Sequence, residues 1–249
     1  MKKTFLEFDK PLLTVMVQAD NPDRIKELIK KSIPEGAEAF GMQLEKLKPE
    51  FRNREVYKEL FSYSDKPVYV TNYRGYKNEG KTDEELSLEL LELADCGAVL
   101  CDVMGDIYDK QPDELAIDKS AIEKQIALVK KLHEKGAQVL MSTHILKYTP
   151  AERILEIALE HQRRGVDICK IVSGAETMAE QIENMRIINL LKENLKIPFL
   201  FLSGGESKVM RKIGGELGCC MYLCVVEHDE FSTETQPLLK NVKLIRDNL

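Results

Sequence analysis

Short apolar, β-rich runs recur along the chain at 12–19, 37–44, 68–73, 98–104, 138–144, 167–173, 198–204 and 219–226. Between them lie longer, charged stretches in which apolar residues return every three or four positions, at 21–32, 54–62, 82–94, 119–135, 150–164, 177–194, 207–217 and 235–248. The runs read as strands and the intervening stretches as amphipathic helices, each covering a sheet with its apolar stripe. Apolar strands alternating with such helices predict a parallel sheet covered on its outer face. Eight repeats of the unit predict a (β/α)8 TIM barrel, with a doubly wound open sheet as the second arrangement. No linker, low-complexity segment or shift in composition interrupts the beat, so residues 1–249 are expected to form one catalytic domain.

Local signals agree with this division. Thr82-Asp-Glu-Glu85 has the spacing of a capping box, and Thr149-Pro150 places a capping residue before a proline at a first helical position. Gly136 and Gly165 fall just past two of the helical stretches, where a left-handed residue ends a helix.

A (β/α)8 barrel carries its chemistry at the C-terminal ends of its strands. That rule selects Gln43 and Glu45, Arg74, Asp102, His144, the segment 170–173, Ser203-Gly-Gly205 and the loop after Val226. Lys170 stands out because it interrupts the apolar run Asp167-Ile-Cys-Lys-Ile-Val-Ser173. Burying an ammonium is costly unless it is paired or neutral, and a desolvated lysine amine is a nucleophile for ketones and aldehydes. His144 ends the preceding strand, where an imidazole can move protons. Arg74 is a candidate for substrate oxygens, or else for a rim salt bridge with Glu79. The glycines at 204 and 205, with Arg211 one helical turn beyond, suit an anion. Phe231-Ser-Thr-Glu-Thr-Gln236 has the polarity and position of a lid. His133, His161 and His228 are read as surface residues.

Composition narrows the partners. A net charge of -6 gives no global basic field for nucleic acid, so an anionic substrate must be met by local cations. No apolar stretch approaches a membrane span, and the first residues lack a secretory apolar core, which points to a cytoplasmic protein. The cysteines form no C-x-x-C pair and have no histidines at ligand spacing, so reduced buried thiols are expected, with no metal and no other cofactor.

With these residues in place, the chain resembles the type I 3-dehydroquinate dehydratases over nearly its whole length. Gly36-Ala-Glu, Val70-Thr-Asn-Tyr-Arg74 with Glu79-Gly80, Ser142-Thr-His144 with Thr149-Pro150, Gly165-Val-Asp-Ile-Cys-Lys170-Ile, Ser203-Gly204 with Arg211, and Ser232 through Gln236 carry the resemblance. It implies a shikimate-pathway lyase of aromatic amino acid biosynthesis that converts 3-dehydroquinate to 3-dehydroshikimate, and a homodimer. Lys170 would form an imine with the ketone, His144 would act as general acid and base, and Glu79 would orient His144. Arg211, Ser232 and Gln236 would hold the substrate carboxylate, and Arg74 would contact ring hydroxyls, with Gln43 in the same wall.

The departures from the family pattern fall on the second strand, where its E-x-R-x-D reads Gly41, Gln43 and Glu45, after the fifth strand, where its H-D-F reads His144-Ile-Leu, and in the lid, where its Pro-Gly is Glu234-Thr235. One carboxylate and one guanidinium that would read hydroxyls are replaced. Two other functions are therefore weighed: a class I aldolase binding a phosphorylated sugar at the Gly204-Gly205 loop, and a non-catalytic relative that binds the ligand.

Overall fold

The computed structural model describes residues 4–249. Its strands are β1 (Leu12–Val17), β2 (Ala39–Gln43), β3 (Val68–Thr71), β4 (Leu100–Met104), β5 (Gln138–His144), β6 (Ile168–Ser173), β7 (Phe199–Ser203) and β8 (Met221–Cys224). They form one parallel sheet in the order β7-β6-β5-β4-β3-β2-β1-β8. A backbone hydrogen bond from Cys220 to Phe199 O, 2.9 Å, draws the two ends together, so the sheet is a nearly closed barrel. The helices around it are α1 (Pro22–Ser32), α2 (Arg54–Ser62), α3 (Asp83–Asp95), α4 (Lys119–Glu134), α5 (Ala151–Arg163), α6 (Met178–Asn194), α7 (Met210–Leu217) and α8 (Leu239–Asn248). The (β/α)8 expectation holds and the open-sheet alternative is set aside. No helix among the described residues is long and apolar enough to cross a membrane.

Side chains alternate across each strand. Leu13, Val15, Phe40, Met42, Val70, Cys101 and Val139 belong to one buried cluster, whereas Leu12, Met16, Ala39, Tyr69, Leu100 and Leu140 belong to the other. The second set fills the barrel interior. The same alternation puts Gln43, Thr71, His144, Lys170 and Val172 on the inner face, where they line the mouth.

Helix ends follow their local chemistry. Thr82 makes the expected capping box with Glu85, and Thr177 makes another with Glu180. Gly136 and Gly165 take positive φ, +81° and +84°, just past α4 and α5. The start of α5 differs from expectation: Pro150 itself is the capping residue, and the Thr149 hydroxyl points back to Lys147 O at 3.4 Å. The last two helices begin later than their periodicity suggested, because residues 205–209 form a 3-10 turn and the chain before Leu239 stays irregular.

Behind the barrel wall, Arg164 closes the end of α5 with a guanidinium that is 1% exposed. It donates to Gly105 O (2.9 Å), Gln125 Oε1 (2.6 Å) and Ala116 O (2.7 Å). These bonds tie down both ends of the loop between β4 and α4. His161 is no surface residue: it is fully buried between Thr143 Oγ1 at 3.2 Å and Cys169 Sγ at 3.4 Å. Burial, with the Arg164 charge adding to it, pushes its pKa down to about 3. His133 and His228 are exposed, as expected.

Replacing Arg164 by Ala takes the donor from Gln125 Oε1 and Ala116 O, each buried acceptor costing about 1–3 kcal/mol, while Gly105 O keeps its bonds from Gln125 Nε2 and Ala116 N, both 3.0 Å. Urea unfolding of Arg164→Ala is expected to show a loss of at least about 2 kcal/mol. A loss below about 1 kcal/mol would show that this loop is held by something else.

Candidate active site

The barrel opens at the C-terminal ends of its strands into a cavity of about 790 Å³. Lys170 stands on its inner wall at the centre of β6, paired in register with Ser142 of β5 and Leu200 of β7. Its ammonium is almost fully buried. It meets Asp102 Oδ2 at 3.1 Å, the Tyr73 hydroxyl at 2.7 Å and the Tyr69 hydroxyl at 3.2 Å. Asp102 also accepts from both phenols and, on Oδ1, from Ser142 Oγ at 2.5 Å. One carboxylate thus balances one ammonium, with every polar atom of the cluster satisfied, which is the condition under which a buried ion pair is tolerable. Burial, reinforced by the Asp102 charge, pushes both phenols well above their ordinary pKa and keeps them as donors.

His144 ends β5 two residues beyond Ser142. Its Nδ1 lies 3.0 Å from Glu114 Oε2, and the same oxygen accepts its backbone N–H at 2.7 Å. A carboxylate can only accept here, so Nδ1 carries the proton and Nε2 is left as the basic nitrogen. Burial opposes ionisation of Glu114, but the bonds from His144 outweigh it and hold the carboxyl below its usual range. Glu114 sits at φ +48°, an uncommon conformation for a side-chain-bearing residue, and Arg164 anchors the carbonyl two residues further on, at Ala116. The Tyr73 and His144 rings meet edge to face with centroids 5.2 Å apart. The lysine and imidazole clusters are therefore neighbours.

Glu79 takes another place. It is exposed at the end of a 3-10 turn and does not line the cavity, so the carboxylate bonded to His144 is that of Glu114 and not of Glu79. Arg74 lines the cavity but is held by Asp83, through Nη2 at 2.7 Å, and by Asp106, through Nη1 at 2.7 Å. Its charge is already balanced, and the expected rim pair with Glu79 is replaced by these two aspartates. Arg211, in the first turn of α7, also lines the cavity. Its Nε donates to Ser203 O at 2.9 Å, with no carboxylate beside it among the described residues. Burial pulls its pKa down to about 10, with no opposing charge to restore it. A desolvated guanidinium of this kind favours an incoming anion.

The segment after β8 lies over the mouth. Gln236 and Thr233 line the cavity and accept from Gln18 Nε2 at 3.4 and 3.3 Å. Ser232 faces away from the cavity and folds its hydroxyl onto Asp229 O at 2.9 Å. Lys46 donates to Phe231 O at 2.6 Å and fastens the segment to the end of β2.

The β2 wall explains its own departures. A Cβ on Gly41 would stand 2.3 Å from Met16 Sδ and 2.9 Å from Tyr69 Cδ1. The room that a longer residue would need is filled by the Tyr69 ring, which brings the phenol to Lys170. Gln43 lines the cavity with a buried Oε1 that has no partner. Glu45 is fully buried on the same wall and accepts from Thr71 Oγ1 at 2.8 and 3.0 Å. Burial raises its pKa to about 7. Gly205, with φ +60°, is required by close approach, since a Cβ there would lie 2.2 Å from Ala175 O.

Fold and constellation together define a (β/α)8-barrel enzyme with its chemistry in the C-terminal mouth. The profile of the type I 3-dehydroquinases matches residues 13–242, and the chain belongs to that family. It is a hydro-lyase of the 3-dehydroquinate dehydratase type. Among solved structures it is similar to the 3-dehydroquinate dehydratase of Geobacillus kaustophilus, with TM-score 0.81, 13% identity and coverage of 96% of this chain and 91% of that one. The type I 3-dehydroquinate dehydratase of Clostridium difficile, solved with a covalently modified comenic acid, gives TM-score 0.79 at 18% identity, covering 96% and 94%. The Aquifex aeolicus 3-dehydroquinate dehydratase gives TM-score 0.70 at 20% identity, covering 96% and 98%. At these identities the likeness is one of fold. No curated protein sequence matches the chain significantly.

The raised pKa of Glu45 has a sign that can be checked. The fold favours its neutral form, so this stability is full below the ordinary value of 4.5 and is lost as pH rises through about 7. Glu45→Gln should stabilise the protein by up to about 3 kcal/mol near pH 8 and by under about 1 kcal/mol near pH 5. Equal effects at the two pH values, read by thermal unfolding, would show that Glu45 is not held neutral.

Proposed function

We propose that this hydro-lyase dehydrates 3-dehydroquinate through an imine on Lys170, with His144 as its general acid and base. The observation that carries the reading is the buried Lys170 amine, held at the cavity wall by Asp102 and two phenols and next to an imidazole fixed by Glu114. Loss of water from the substrate ketone and Lys170 gives an iminium, an electron sink for the adjacent C–H bond. His144 Nε2 takes that proton, and the pair of electrons flows into the iminium as an enamine. The enamine then expels the β-hydroxyl, which leaves as water with the proton returned by His144. Hydrolysis of the conjugated imine frees 3-dehydroshikimate and Lys170.

Substrate reading follows from what is already paired. Arg211 takes the carboxylate, with Gln236 and Thr233 at the same mouth. Gln43 Oε1, without a donor of its own, and Glu45 offer hydrogen-bonding groups to ring hydroxyls. Arg74 is occupied by two aspartates and acts on the wall, not on the substrate. Membership of the type I 3-dehydroquinase family disfavours an aldolase on phosphorylated sugars. A mere binder has no use for an imidazole oriented beside a buried amine.

Borohydride added to enzyme and 3-dehydroquinate is expected to leave a reduced adduct on the Lys170 peptide, detected by mass. Lys170→Ala should give none. His144→Ala should still give the adduct while its turnover falls by about 100-fold or more. Full turnover of 3-dehydroquinate with no borohydride-trapped adduct would contradict the imine mechanism.

A further inference from the structure

We infer that Tyr73 is a further catalytic residue, a proton relay between Asp102 and the oxygen that leaves when Lys170 forms its imine. The inference rests on the reading of Lys170 as the imine-forming amine. The Tyr73 hydroxyl accepts from Lys170 Nζ at 2.7 Å and donates to Asp102 Oδ2. It thus bridges the nucleophile and the carboxylate that balances it. Its ring lies along the cavity wall and against His144, so the phenol stands at the boundary between the buried ion pair and the space the substrate fills.

Imine formation needs such a group. The Lys170 ammonium must lose a proton before it can attack. Tyr73 accepts that proton and passes its own to Asp102 in the same movement, leaving an amine and a carboxylic acid. The nitrogen lone pair then forms the C–N bond, and the carbonyl π pair moves to oxygen. That oxygen takes the Tyr73 proton, which Asp102 replaces. The nitrogen, now positive, returns one proton to Asp102. The lone pair left on nitrogen forms C=N as the C–O bond breaks, and the oxygen departs as water with a second proton through Tyr73. The sum is ammonium and ketone to iminium and water, with Asp102 a carboxylate at both ends. A phenol suits the task because burial and the Asp102 charge keep it protonated between transfers.

Tyr69 touches the same two groups and also borders the cavity, but it is fully buried in the room that Gly41 leaves open, whereas Tyr73 is only partly buried. It supports the carboxylate from beneath. Asp102 Oδ1 is engaged by Ser142, so Tyr73 is the member of the cluster placed to reach a leaving oxygen.

The test measures the rate of imine formation apart from elimination. Enzyme is mixed with 3-dehydroquinate and quenched into borohydride at intervals, and separately with a simple 1,3-diketone, which a reactive lysine converts to an absorbing enaminone. Tyr73→Phe is expected to slow both by about 100-fold, as loss of a general acid does, and Tyr69→Phe by less. The wild-type rate should fall in heavy water. A Tyr73→Phe rate equal to wild type, a larger effect of Tyr69→Phe, or equal rates in light and heavy water would each overturn the relay. The last reading needs no variant and so stands even if Tyr73→Phe folds poorly. Wild-type reaction with the diketone but not with 3-dehydroquinate would sink the substrate reading while leaving the relay to be judged on the diketone. Reaction with neither would sink both.

Discussion

The ion pair between Lys170 and Asp102 governs the design of this barrel. An ammonium and a carboxylate 3.1 Å apart, both nearly inaccessible to water, persist only if their remaining hydrogen-bonding capacity is used. Ser142 and two phenols use it. Removing one member of such a pair strands the other charge in the interior at a cost of about 3–5 kcal/mol. The protein keeps this cluster where simple packing would be more stable, and on the proposed imine mechanism the cluster stores a nucleophile with a proton acceptor already in contact.

The barrel places the cluster by strand alternation and register. Period-2 alternation sends Tyr69, Asp102, Ser142, His144 and Lys170 inward from four adjacent strands, and parallel pairing sets their heights. Changes on one strand are answered on the next. Gly41 on β2 yields its space to Tyr69 on β3, so the open wall and the phenol beside Lys170 are one structural feature. Further out, Arg164 grips the β4–α4 loop from behind, and that loop delivers Glu114 to His144. A residue with no access to the cavity thereby supports the tautomer of the histidine.

Much of this was legible in the sequence because the physics is local. Apolar runs bounded by amphipathic stretches mark strands and helices, and a lysine within such a run is conspicuous for its burial cost. Lys170 was singled out in that way, His144 as a strand end and Arg211 as the cation beyond a Gly-rich loop, and all three line the cavity with Gln43 and Gln236. The partners escaped because they depend on tertiary distance. Glu114 lies in an irregular loop thirty residues before His144, with no periodicity to mark it. Tyr69 reads as ordinary core until its hydroxyl is seen to need a partner. Asp102 stood at a strand end, but only the register of β4 and β5 links it to Lys170. Glu79 and Ser232 sit in motif-like positions whose side chains turn elsewhere, one into solvent and one onto Asp229.

The proposed mechanism requires that the substrate be joined to Lys170 and held by Arg211. A crystal structure of the protein reduced with borohydride in the presence of 3-dehydroquinate tests both at once. Continuous density from Lys170 Nζ to the ring, with the ring carboxylate on Arg211 and the neighbouring carbon beneath His144 Nε2, is the predicted result. A ligand lying free of Lys170, or one whose carboxylate displaces the aspartates on Arg74, would contradict it.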